Sequence, residues 1–463
     1  MLWKARAYAL LLATSLPVHA AVDATPESAI QSRELIAWVK ERAVPLKAID
    51  SSDEGDADLR AALEGLVTPQ TRVIALGEGG YHNSHEMLVL RNRLFEYLVR
   101  HHGVTALLTE SMFYGGFAVD DYVVHGGELT PQLVASVYCW TDPKTAWEEN
   151  ASLLKWMREY NGSRRAGRPL RFYAGTGDWD DAKDGDPAPI SLRYALGYLR
   201  RVDAKLANGL ESRVSWSGRA KYADLKEAKR DEMTAALADL VNAFKANHLK
   251  WTRATSVEDF GRAWRSAVRA GELDAWRRRQ LQAGGVAPLA GWQEADNILA
   301  ALESEGPQGR LFVFYHNGHS DNSADSNSFG PRLREVLQSR YVQIGTAPAW
   351  DPSSPHDRAS IERQLALAGG SWSGWDPREG GPEQFLSLLY RIAGFPAFYL
   401  DMRNMPPVNV PIGTWRQGGS SYVAEASNEA GPAPDHARWK AQSSFDAMIF
   451  LPPVNPARPW QHD

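Results

Sequence analysis

Cysteine is almost missing from this sequence: Cys139 is the only one in 463 residues. An internal disulfide is therefore excluded, and the fold must be held by its core. After the first twenty residues no apolar run approaches the roughly 20 residues of a transmembrane helix, so no membrane span is expected. Neither charge dominates. A formal net charge of −5, with acids and bases interspersed, gives no footprint for nucleic acid or an anionic membrane and suits a small or neutral ligand. Several catalytic signatures are missing as well: there is no Gly-x-Ser-x-Gly elbow, no Walker loop and no Gly-x-Gly-x-x-Gly, and Cys139 has no signature around it. His85-Glu86 begins like a zinc-protease helix, but Val89 stands where the second histidine would be. Tryptophan, by contrast, is plentiful at 17 residues; Trp140, Trp147, Trp156, Trp179, Trp372 and Trp375 read as packing residues ahead of a ligand-stacking wall.

Lys4 and Arg6 precede an apolar stretch, Ala7 to Leu16, and Val18-His19-Ala20 supplies a small-residue cleavage site. Residues 1–20 thus read as a signal peptide and the chain as exported, periplasmic or secreted. An amphipathic helix is expected over Ser32–Ala48, followed by an acidic loop at Ser51–Asp58. Arg72–Leu76 reads as the first buried strand, ending at Gly77 where a turn takes over. Met87, Leu90, Leu94, Tyr97 and Leu98 recur at helical spacing, and Gly103 supplies the C-cap. Val104–Leu108 completes a βαβ unit, and further strands are expected at Leu170–Tyr173, Leu311–Phe314, Tyr341–Ile344, Ala397–Leu400 and Ala447–Phe450. The alternation predicts an α/β fold with a largely parallel central sheet flanked by helices. Between residues 189 and 282 the pattern changes to long charged helices, Tyr222–His248 and Val257–Gln282. We read 189–282 as a helical insertion or lid on an α/β domain formed by 21–188 and 283–463. The stretches Gly369–Pro382 and Asn404–Gly419 are long enough to line a substrate.

Two segments, Gly77-Glu78-Gly79-Gly80-Tyr81-His82-Asn83-Ser84-His85-Glu86 and Tyr315-His316-Asn317-Gly318-His319, each follow an apolar run and carry two histidines three apart. Ligands of α/β sheets bind outside the carboxyl ends of the strands, so both segments are expected at one rim, joined by Glu110 from the end of the second strand. Imidazoles held by carboxylates can deprotonate water and protonate a leaving alkoxide, which is what direct ester hydrolysis without a covalent intermediate requires. Glu78 and Glu110 would also serve as helix caps, and His85 and His319 read as readily as structural histidines. His82 and His316 are the leading candidates. A second reading makes Glu78, His82, His85, Glu110, His316 and His319 ligands of zinc or another divalent metal. A third is a non-catalytic ligand-binding protein.

Taken together, Gly77-Glu78, His82-Asn83-Ser84-His85-Glu86, Leu107-Leu108-Thr109-Glu110-Ser111, Ala118 to Val123 and Tyr315-His316-Asn317-Gly318-His319 resemble the erythromycin esterase family. Leu153–Asn161, Gly330–Gly345, Leu400-Asp401-Met402-Arg403 and Phe445–Ile449 extend the resemblance in order along the chain. It implies an α/β protein with extra helices that cleaves an ester or lactone, macrolides among them, with histidine-activated water and no cofactor. By resemblance His82 is the general base, Glu78 its orienting carboxylate, Glu110 a second acid and His316 a second imidazole. His85, Asn317 and His319 are supporting residues, and Arg91, where the family carries a basic residue, would stabilise an oxyanion. The chain departs from the pattern in having Glu78 and His82 four apart rather than three, an extra residue that Gly79-Gly80 would absorb through its freedom in φ and ψ. It also has Ser320-Asp321-Asn322 after His319 and Ala290 where arginines are usual.

Overall fold

In the computed structural model the described residues are 26–50, 56–79, 83–138, 146–163, 167–176, 190–214, 222–282, 291–322, 328–348, 389–390, 392–406, 410–411, 438–439, 444–452, 454–455 and 457–461. The expected leader, Cys139, Trp140, Trp179, Trp372, Trp375, His82, Gly369–Pro382 and most of Asn404–Gly419 lie outside them.

The chain opens with α1 (Pro26–Arg42), β1 (Val44–Pro45) and α2 (Ala57–Leu63). The helix expected over Ser32–Ala48 therefore lies further toward the N-terminus, because Pro45 forces its predecessor out of the helical region. Val44 and Pro45 instead pair antiparallel with Tyr399 and Phe398 at the sheet edge, where a missing N–H is tolerated. Then come β2 (Val73–Glu78), α3 (His85–His102), β3 (Ala106–Met112), α4 (Gly115–His125), α5 (Pro131–Ala135), α6 (Glu148–Ser163) and β4 (Arg171–Thr176). Gly103 caps α3 in the left-handed region at φ 65°, as its sequence position suggested.

Next among the described residues are the helices α7 (Ile190–Val202), α8 (Ala204–Val214), α9 (Glu227–Ala246), α10 (His248–Ala254) and α11 (Val257–Gln282). The last has the bounds read from sequence. The helix expected over Tyr222–His248 breaks at Asn247, whose side-chain amide donates to the Ala243 carbonyl at 2.9 Å and competes with the helical ladder. These helices share a core of their own, in which Tyr198, Leu240, Phe244 and Trp251 are buried together. The remaining elements are α12 (Gly291–Ser304), β5 (Leu311–His316), α13 (Asn317–Ser320), α14 (Gly330–Leu337), β6 (Tyr341–Pro348), β7 (Phe398–Asp401), β8 (Val410–Pro411), β9 (Arg438–Trp439) and β10 (Ala447–Leu451). No helix among the described residues is long and apolar enough to cross a membrane.

Eight of the described strands form one sheet in the order β1-β7-β10-β6-β2-β5-β3-β4. It is parallel from β10 to β4, while at one side β7 pairs antiparallel with both β10 and β1. The parallel strands are almost wholly buried, as expected where helices cover both faces. Alternate residues supply two cores: Ile74, Leu76, Phe312 and Phe314 pack toward α3, and Val73, Ala75, Val313 and Tyr315 toward α12 and α14. From β2 the chain leaves toward β3 on one side, and β5 to β6 crosses to the other. The carboxyl end of β2 is thus a topological switch point, the place where such sheets bind ligands.

The helical segment is tied to the sheet edge by Asp120 of α4. Its buried carboxylate accepts from Arg171 of β4 (2.9 and 2.5 Å), from the Phe172 N–H (3.0 Å) and from Arg262 of α11 (3.0 Å). Burial opposes the charge of both arginines, but bonding to Asp120 and its neighbours more than offsets this and raises their pKa. Removing one member of such a buried network strands the others. Asp120→Asn should lower stability by about 3 kcal/mol in urea unfolding, whereas Asp121→Asn, at the exposed end of the network, should change it by less than about 0.5 kcal/mol.

Candidate active site at the carboxyl rim of the sheet

Parallel pairing of β2 with β5 runs from Val73 opposite Leu311 to Glu78 opposite His316. Both strands are longer than their apolar runs suggested, so Glu78 and His316 are strand residues rather than turn residues. Glu78 is fully buried, and its carboxylate accepts from the Tyr138 hydroxyl at 2.5 Å and from the Asn83 N–H at 3.2 Å. Those bonds fix its orientation. Asn83 itself adopts the left-handed region (φ 60°), and its carbonyl accepts from the Ala457 N–H at 2.8 Å. His82, the expected base, lies outside the described residues, but the described residues on either side of it are anchored: Asn83 to Glu78, and Gly79 by its N–H to Thr346 Oγ1 at 2.8 Å.

Asn317 ties the end of β5 to β6, donating from Nδ2 to the Thr346 carbonyl at 2.9 Å. Thr346 Oγ1 in turn donates to the Gly77 carbonyl at 2.6 Å. These contacts leave no room for a side chain at residue 77 or 79: a methyl on Gly77 would overlap Asn317 Oδ1, and one on Gly79 would overlap the Thr346 carbonyl oxygen. Close approach, rather than a positive φ, is therefore what requires Gly79.

Glu110, at the irregular end of β3, accepts from the His316 backbone N–H at 2.9 Å. Its other oxygen lies 3.6 Å from Nε2 of His319, whose Nδ1 meets Glu294 of α12 at 3.1 Å. His319 therefore stands between two carboxylates. Nδ1 of His316 accepts from the Gly318 N–H at 3.2 Å, which assigns the proton of the neutral ring to Nε2. The two imidazole centroids are 6.4 Å apart. By strand parity Glu78 belongs to the α3 face and Glu110 to the α12 face, and His316 joins them by register on one side and by its N–H on the other.

His85 and Arg91 are placed differently from expectation. His85 bonds to none of the described rim residues; its Nδ1 meets Glu149 at 2.6 Å and its Nε2 meets Arg458 at 3.2 Å. Glu86 beside it accepts from the N–H and side chain of Asn455 at 2.6 and 2.8 Å. This pair stitches the C-terminal segment onto α3 and α6, and it borders a cleft of about 740 Å³. Arg91 is fully buried, with its guanidinium 5.3 Å from the Phe314 ring centroid and two bonds to Asn92 Oδ1. Burial lowers its pKa to about 10 against the opposing charges of Glu78 and Glu149. It acts on Glu78 from beneath the rim.

Three rim residues escaped the sequence reading: Tyr138, Glu294 and Thr346. Each comes from an element distant in sequence and carries no local motif. Among the described residues, the only three potential ligand groups with atoms all within 4.8 Å of one another are Asp121, His125 and Glu258, away from the rim. Asp121 and Glu258 already bond to Arg262.

Comparison with known proteins agrees with this architecture. A family model described as erythromycin esterase matches residues 99–454, a span that holds Glu110, Glu294, His316 and His319 and begins after Glu78, His82, His85 and Arg91. No curated protein matches the sequence. Among solved structures, a Bacillus cereus protein aligns with a TM-score of 0.64 and 17% identity over 93% of this chain and 99% of its own. A succinoglycan biosynthesis protein aligns with a TM-score of 0.64 and 16% identity over 93% and 99%. A mutant of the erythromycin esterase EreC in its open conformation aligns with a TM-score of 0.54 and 14% identity over 87% and 95%. At these identities the structural likeness speaks for the fold.

The packing around Gly79 makes a direct prediction. Gly79→Ala should destabilise the protein by about 1–3 kcal/mol, because the Thr346 backbone must move. Gly209→Ala, in the exposed middle of α8 with open space around it, should instead stabilise by about 0.5–1 kcal/mol. Chemical unfolding of the two variants beside wild type checks both signs.

Proposed function

Because the chain belongs to the erythromycin esterase family, we propose that it hydrolyses a small-molecule carboxylic ester or lactone with water activated by histidine and without a covalent intermediate. The observation that carries this reading is the convergence of Glu78, His316 and Glu110 at the switch point of the sheet. Two carboxylates with fixed orientation and an imidazole of assigned tautomer face one rim. Preorganised groups of this kind stabilise charge as it develops without having to reorient.

In the proposed reaction His82, oriented by Glu78, takes a proton from water while the water oxygen attacks the acyl carbon. The tetrahedral adduct collapses with cleavage of the acyl carbon to alkoxy oxygen bond. The alkoxide leaves with the proton that His82 took from water, while the Nε2–H of His316 donates a hydrogen bond to the oxyanion, giving one carboxylic acid and one alcohol, joined in a single chain if the substrate is a lactone. Glu110 and Glu294 hold His319 beside the leaving group. Arg91 balances the buried charge of Glu78 from below, and Asn317 holds the strand ends in register. His85 acts indirectly, by fixing the C-terminal segment that bonds to Asn83. The helices of 189–282 serve as the lid, and residues 1–20 direct export.

The test is mass spectrometry of a panel of simple esters, lactones and macrolactones incubated with the mature protein. A substrate should gain one water with wild type. His82→Ala and His316→Ala should each lose about 10²- to 10⁴-fold in kcat/KM, the range for a positioned base or oxyanion donor. A chelator should leave the rate unchanged; loss of activity to chelator would favour the metal-dependent reading, and no product across the panel would contradict the esterase reading.

A further inference from the structure

Away from the rim, a cavity of about 890 Å³ lies between edge strand β4 with α4 and the helices α9, α11 and α12. Its volume is that of a small-molecule site. None of Glu78, Glu110, His316 and His319 lines it. Phe117, Tyr173, Phe260 and Trp264 give it an aromatic wall, and it opens to solvent beside Val257, which is 78% exposed.

Among the described residues four arginines line this space, and three are already neutralised. Arg168 bonds to Glu305, Arg171 to Asp120 and Glu258, and Arg262 to Asp120, Asp121 and Glu258. Arg265 differs. It donates a hydrogen bond to the neutral Oδ1 of Asn297, at 2.8 Å, and no carboxylate among the described residues is in ion-pair contact with it. The orientation of that amide is set from behind, since Asn297 Nδ2 donates to the Gly175 carbonyl at 2.7 Å. Glu272, the acid whose charge acts most on Arg265, is bonded to Arg269 at 2.5 Å. A half-buried guanidinium with no carboxylate in contact keeps bonding capacity that an anionic ligand would take up. The aromatic wall beside it limits that ligand to one with an apolar body.

We infer that this cavity binds an amphipathic monocarboxylate, its carboxylate on Arg265 and its apolar or aromatic body against Phe117, Phe260 and Trp264. Its occupant is distinct from the ester bound at the rim, and the inference holds whichever ester the rim cleaves. Neutral alcohols of the same shape would bind more weakly, because they leave Arg265 without a carboxylate in contact.

Isothermal titration calorimetry of the mature protein with 4-phenylbutyrate tests this, with 4-phenylbutan-1-ol as the uncharged control. Wild type should bind the acid at one site per chain. Arg265→Gln, which keeps an amide donor for Asn297, should weaken the acid about tenfold or more and leave the alcohol unchanged. Ala300→Phe, which fills the cavity from α12, should abolish binding of both, and it tests the same cavity should Arg265→Gln fail to fold. Absence of binding to wild type at a ligand concentration on the order of 1 mM, undiminished binding to a folded Ala300→Phe, or equal affinity for the acid in wild type and a folded Arg265→Gln would overturn the assignment.

Discussion

The pairing of β2 between β5 and β6 is the constraint on which the rest depends. It sets Glu78 opposite His316 at the far end of a register that begins at Val73 and Leu311. Side chains alternate between faces, so a slip of one residue would turn Glu78 into the opposite layer and break the pairing with His316. The register is held from both ends. Apolar residues in two cores fix the strand bodies, and the Gly77, Asn317 and Thr346 contacts fix the tips so closely that the β2 tip is limited to glycine at residues 77 and 79.

That packing creates an electrostatic problem at the rim, since it places carboxylates where water is scarce. Burying an ionised group is unfavourable unless hydrogen bonds or opposite charge compensate it. Glu78 has the Tyr138 hydroxyl, the Asn83 N–H and the nearby charge of Arg91. Glu110 has the His316 N–H and the imidazole of His319. The bonds that make burial tolerable are the same bonds that fix direction, so the site is ordered before any substrate arrives. At the sheet edge the same rule governs Asp120, which holds the helical segment to β4.

Much of the sheet was legible because each central strand is a short run of apolar, often β-branched residues ending near glycine, proline or polar residues. Leu311–Phe314 and Ala447–Phe450 are examples, and α11 showed its full length through an uninterrupted helical pattern. The ends were less legible, since Gly77, Glu78 and His316 become strand residues only through pairing with each other. Pro45 was missed as a helix stop because the apolar periodicity of α1 runs up to it. The equal spacing of the two histidine pairs suggested a shared role, but spacing carries no information about where a turn sends the next residue. Asn83 at positive φ turns the chain, and His85 goes to Glu149 and Arg458. Tyr138 and Glu294 belong to the rim through tertiary contact alone, as Arg265 does to its cavity, so none of them stands out in a local window.

The central claim is that Glu78 and His316, brought together by strand register, act as one unit in catalysis. A double-mutant cycle on kcat/KM, using Glu78→Gln, His316→Ala and the double variant with an ester that wild type cleaves, measures this directly. The account predicts strong non-additivity, with the double variant little worse than the weaker single variant. Effects that add to within about 0.5 kcal/mol would show two independent groups and contradict it.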